Sequence, residues 1–118
     1  MSSSDEPRRL RDIIVNIDRA VDYVGELSHD RFAADQMRID AVERCLERIA
    51  EAMVKIGEAR MLEIAPDTPL PAVRGLGNIL RHEYDRVDTR LIYALVTERL
   101  PGLREACELG VEASETDV

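Results

Sequence analysis

Leu10, Ile13, Ile14, Ile17, Val21, Val24 and Leu27 recur at the spacing of one helix face, and Ile39, Val42, Leu46, Ile49, Met53 and Ile56 repeat that rhythm further on. An apolar stripe returning every three to four residues is the signature of an amphipathic helix. The first helix opens with "SSSDEP", whose polar residues suit a cap and whose acids suit the positive end of the helix dipole, while proline is tolerated in a first turn. It is expected to end near Ser28. After the turn "SHD", a longer helix is expected from about Phe32 to about Leu62. Its apolar seam is flanked by a small-residue edge at Ala41, Cys45, Ala52 and Ala59, so it should contact neighbours on two sides.

"APDTPLP" ends that helix, because proline removes a donor and clashes with the preceding turn. A third helix is expected from near Pro71, carrying Val73, Leu76, Ile79 and Leu80. Asp88 or Thr89 is placed to cap a fourth, holding Leu91, Ile92, Leu95 and Val96, and Pro101 to begin a short fifth through Leu103, Cys107 and Leu109. No strand pattern or internal repeat interrupts this series. The expected architecture is all-α: an up-and-down bundle of four to five helices, one domain over residues 1–110, with residues 111–118 an acidic, disordered tail.

Composition narrows the function. Charged residues make up 34% of the chain and the formal net charge is -8, which disfavours non-specific association with nucleic acid. The charge is uneven, however: between Arg74 and Arg90 four arginines face three acids, leaving that segment at +1 and the remainder at -9. Cys45 and Cys107 sit inside apolar helical patterns and read as buried free thiols of a reducing compartment. No apolar run approaches membrane-spanning length, and the N-terminus has no signal-like apolar core, so a cytoplasmic protein without membrane contact is expected.

The candidate chemistry lies in the same less acidic segment, "GNILRHEYDRVD". On a regular helix, at about 100° per residue, Asn78, His82 and Arg86 form one polar stripe. Tyr84 falls nearly opposite His82 on such a helix, so a bend, an ending turn or a second subunit is needed to bring the two to one cleft. One reading makes this a solvated face laced by pairs such as Arg81 with Asp85, with His82 bound to a neighbouring acid. The other makes it a site. Gly75 and Gly77 favour close approach of a backbone, ligand or subunit, since each costs about 1 kcal/mol relative to alanine inside a helix. His29 has no accompanying cluster and reads as a turn or cap residue. Two histidines so far apart provide no metal-ligand pair, and "RGLGN" lacks the strand and lysine of a phosphate-binding loop, so neither metal nor cofactor is expected.

"ERCLERIAEA", the proline-rich break, "GLGNILRHEYDRVD" and "LVTERLPGLREA", in this order, resemble the HepT family of helical HEPN-domain proteins encoded beside a minimal nucleotidyltransferase. The resemblance spans nearly the whole chain, and His-x-Tyr after Gly-x-x-Asn is its most specific part. It implies a homodimeric, metal-independent endoribonuclease, the toxin of a bacterial toxin–antitoxin pair. The family's partner nucleotidyltransferase antitoxin neutralises such a toxin by AMPylation of the motif tyrosine. Carried onto this sequence, His82 matches the catalytic histidine, Tyr84 the modified tyrosine, and Asn78 the polar residue that follows the family's arginine. Gly77 stands where that arginine is expected. Arg74 is the better substitute and Arg81 the other. The departure at Gly77 favours an alternative, a catalytically inactive HEPN dimer serving as binding partner or substrate of the nucleotidyltransferase.

Overall fold

The computed structural model describes residues 5–68 and 88–116. Helix α1 spans Glu6–Val24, with Pro7 in its first turn and Asp5 at the cap position, although the Asp5 side chain makes no capping hydrogen bond. Leu10, Ile13, Asn16, Ile17, Ala20 and Val24 form its buried face. The expected stripe is thus slightly rotated: Ala20 rather than Val21 faces inward, and Val21 is 41% exposed. Continuing the three–four alternation from Ile13 and Ile17 leads to Ala20 and Val24, and a small alanine lets a neighbouring helix come close. The helix stops at Gly25, whose φ of 57° belongs to the left-handed region and whose N–H returns to the Val21 carbonyl.

Two short helices depart from the expected plan. Ser28 accepts from the Arg31 N–H and starts α2, His29–Ala33, whose Phe32 is wholly buried. Asp35 accepts from the Arg38 N–H and starts α3, Gln36–Ile56. The single helix expected from Phe32 to Leu62 is therefore cut at both ends by its own caps. At the far end Gly57 takes φ 104°, which an L-residue rarely adopts, and the chain turns before α4, Glu58–Ile64. The apolar seam Ile39, Val42, Leu46, Ile49, Met53 and Ile56 is buried on α3 together with Cys45, Ala50 and Ala52, whereas of the expected small-residue edge Ala41 is only half-buried and Ala59 is exposed on α4.

Asp88 caps α5, Thr89–Ala94, accepting from the N–H groups of Arg90 and Leu91. A π turn at Leu95–Arg99 carries the chain without interruption into α6, Leu100–Thr116. The separate fifth helix expected from Pro101 is instead the continuation of the fourth. Pro101 clashes with the carbonyl four residues back in a regular α-helix, and the wider turn directly before it is how this helix accommodates the ring. The π turn also keeps Ile92, Val96, Leu100, Leu103 and Cys107 buried on one side. The stretch assigned to an acidic tail begins inside α6, where Arg11 binds Glu115 at 3.0 Å.

Helix α1 packs along both α3 and α6. Arg38 donates to the Tyr23 carbonyl at 2.7 Å, so the end of α1 meets the beginning of α3. Arg104 grips Asp18 at 2.7 Å while Arg11 reaches Glu115, so α1 is also antiparallel to α6. Helix α4 is tied to the start of α1 by Arg60, which donates to both Glu6 oxygens at 2.6 and 3.1 Å. The result is an all-α bundle with no strand among the described residues. No helix among those residues is long and apolar enough to cross a membrane.

Candidate functional site

Arg74, Asn78, Arg81, His82 and Tyr84 all lie outside the described residues, as does Gly77. The structure instead defines the scaffold on either side of the strip they occupy. On its C-terminal side, Asp88 is fixed by its role as cap, with the Arg90 N–H at 3.0 Å and the Leu91 N–H at 3.4 Å. The next residue, Thr89, is joined through Oγ1 to His29 Nε2 at 3.1 Å. His29 Nδ1 lies 3.3 Å from Asp30 Oδ1, and the His29 ring meets Tyr93 edge-on at 5.7 Å. Tyr93 packs on Phe32 at 5.9 Å and donates its hydroxyl to the Leu27 carbonyl at 2.7 Å. A buried phenylalanine, a tyrosine with its polar tip satisfied and a histidine thus clamp α2 to α5 immediately after the candidate strip. His29 does begin a short helix after a turn, as its sequence position indicates. Its long-range bond to Thr89 was not legible, because its partner stands sixty positions away and no local spacing marks it.

On the N-terminal side the chain leaves α4 through Ala65, Pro66, Asp67 and Thr68. Ala65 and Thr68 are buried, and Arg99, at the end of the π turn, donates to the Asp67 carbonyl at 3.1 Å. Together with Glu98, Gly102 and Ala106 these residues line an open pocket of about 280 Å³. Among the described residues its lining holds neither histidine nor cysteine; its ionisable side chains are Asp67, Glu98 and Arg99.

The two thiols match the sequence expectation, being buried and unpaired. Burial pushes Cys45 up, with Arg48 and Arg19 drawing it part of the way back, and pushes Cys107 up to about 12. Both are held as thiols, the opposite of an activated nucleophile. Glu43 is also raised, by its partial burial first and by Asp40 and Glu47 second. Among the described residues no group of three or more His, Cys, Asp or Glu side chains is placed to hold a metal ion.

The decisive observation comes from comparison with known proteins: a model of the family described as ribonuclease HepT-like matches residues 13–109. The chain belongs to the HepT-like family. The matched region runs from within α1 to within α6 and contains the whole candidate strip. Similar proteins occur in Methanocaldococcus jannaschii. The protein named "Putative RNase MJ1380" is 30% identical over 109 residues, covering 92% of this chain and 99% of the relative. That named "Putative RNase MJ0127" is 28% identical over 101 residues, covering 86% of this chain and 83% of the relative. No solved structure matches the chain at a significant level.

Proposed function

We propose that this HepT-like protein is a metal-independent endoribonuclease, the toxin of a toxin–antitoxin pair. The observation carrying this reading is the family match, which encloses "GNILRHEYDRVD" within its span, together with relatives named as RNases. Cleavage of RNA without a metal requires a base for the 2′-hydroxyl proton, an acid for the departing 5′-oxygen and cationic donors for the charge that gathers on phosphorus. Imidazole, with an unperturbed pKa of about 6.5, takes and returns a proton near neutrality. His82 is assigned the acid/base role, Arg74 or Arg81 the stabilisation of the phosphate, and Asn78 the positioning of substrate. A twofold homodimer sets two such strips around one groove and concentrates their arginines, which reconciles an acidic protein with an anionic substrate.

Tyr84 is assigned the regulatory role. A minimal nucleotidyltransferase partner that transfers AMP to its hydroxyl adds a phosphodiester charge of about -1 and a bulky base, which repel and obstruct an RNA backbone. Intact-mass measurement after incubation with the neighbouring nucleotidyltransferase and ATP tests this role. The expected result is addition of AMP, lost in Tyr84→Phe; no added mass removes the assignment. Gly77 supports a second reading, in which the dimer has lost cleavage and persists as partner or substrate of the transferase. AMP addition without any RNA cleavage by the unmodified protein is the outcome that selects it.

A further inference from the structure

On the face of the bundle where α1 meets α3, a cleft of about 240 Å³ is lined by Arg9, Asp12, Asn16, Arg48, Glu51 and Lys55. Asn16 is out of place in an apolar stripe: it is 7% exposed, between the fully buried Ile13 and Ile17. Its Nδ2 donates to the Asp12 carbonyl at 2.8 Å, whereas its Oδ1 is buried and accepts nothing. Arg9 Nε is likewise buried and donates to nothing. One acceptor and one donor without partners thus lie in the same cleft. Lys55 is engaged by Glu51 at 3.3 Å, but neither Arg9 nor Arg48 has a carboxylate within ion-pair distance among the described residues. Arg48 is exposed and Arg9 half-buried, so in a chain of net charge -8 this cleft offers two guanidinium groups that no carboxylate among the described residues holds.

We propose that this cleft is a subsite for one ribose-phosphate unit of single-stranded RNA, with the phosphate between Arg9 and Arg48 and a ribose hydroxyl donating to Asn16 Oδ1. A ribose-phosphate supplies in one unit the acceptor that Arg9 lacks and the donor that Asn16 lacks. Guanidinium groups suit phosphate oxygens through paired N–H donors, and the 2′-hydroxyl is the group that separates RNA from DNA. Both orphan atoms are closed to solvent, so the ligand reaches them as the flexible Arg9 stem shifts. The inference rests on the ribonuclease reading and extends it, by giving substrate a contact remote from the strip around His82.

The test is fluorescence anisotropy with a labelled single-stranded RNA and its DNA counterpart across a salt series, using His82→Ala protein so that the probe is not consumed. Arg9→Gln with Arg48→Gln is expected to flatten the dependence of log affinity on log salt by about 0.7, the loss of one phosphate contact on a single strand. Asn16→Ala is expected to reduce the preference for RNA over DNA by roughly 3–10-fold, the worth of one hydrogen bond. Asp12→Asn, an exposed change with little risk to folding, is expected to tighten RNA binding by removing a nearby negative charge. An unchanged salt slope in the double variant, or an Asp12→Asn protein that binds as its parent does, overturns the proposal; so does a parent that binds no RNA. Cleavage by the unsubstituted protein is scored separately. RNA cut normally by cleft variants leaves the nuclease reading standing and removes the subsite alone.

Discussion

Replacing Tyr93 by phenylalanine removes one oxygen and leaves the rest of the clamp in place. The ring keeps its contacts with His29 at 5.7 Å and Phe32 at 5.9 Å, so the change isolates the 2.7 Å hydrogen bond to the Leu27 carbonyl. A neutral hydrogen bond is worth about 0.5–1.5 kcal/mol net, and a partly buried carbonyl left without its donor puts the expected loss near the top of that range. Unfolding entropy of about 2.1 cal/mol/K per residue gives roughly 0.25 kcal/mol/K for a chain of this length, so Tm should fall by about 4–6 °C. Thermal unfolding followed by far-ultraviolet circular dichroism reads this directly. Thr97→Ala is the control, since its hydroxyl serves only the Tyr93 carbonyl one turn back on an exposed surface. A Tyr93→Phe protein melting within about 1 °C of its parent would refute the reasoning, because it would mean that water replaces the hydroxyl at no cost.

Other consequences of the structure can be checked in the same way. Cys107, with a thiol pushed up to about 12 from an ordinary value of 9.0, should react with a disulfide reagent at pH 8 about a thousandfold more slowly than a free thiol until the protein unfolds. Because its folded pKa is the higher one, its contribution to stability is complete below about pH 9 and is lost as pH rises from there toward 12, which denaturant titration at pH 8 and 10.5 should register as a fall. Gly57→Ala forces a side chain into φ 104° with no compensating contact and should cost about 1–3 kcal/mol by urea unfolding. Ile49→Ala empties a fully buried position on α3 and should cost about 2–5 kcal/mol in the same measurement.

The helices were legible wherever an apolar stripe has only one register that buries it. Ile13, Ile17 and Val24 on α1 and the Ile39-to-Ile56 seam on α3 fall where the spacing puts them. Periodicity did not reveal the places where a backbone feature overrides the stripe. Gly57 breaks a pattern whose apolar positions continue into Met61, and only its positive φ shows that the chain turns there. At Pro101 the opposite happens: a strong stop signal is carried through by a π turn whose extra width no residue type announces. Asn16 was hidden by its neighbours, since one polar residue in an isoleucine stripe does not change the period. The candidate strip was legible only through its motif, and it lies within the span that the family match covers. The clamp of His29, Thr89 and Tyr93 depends on contacts some sixty residues apart and had no sequence signal at all.

The central claim, that this HepT-like chain cuts RNA through His82 without a metal, is tested most directly by incubating the purified protein with single-stranded RNA in excess EDTA and resolving the products on a denaturing gel. General acid/base catalysis contributes typically ~10²–10⁴ in rate, so the account predicts fragments from the unsubstituted protein and near-complete loss of them in His82→Ala. RNA left intact by the unsubstituted protein, or cut equally well by His82→Ala, would contradict it.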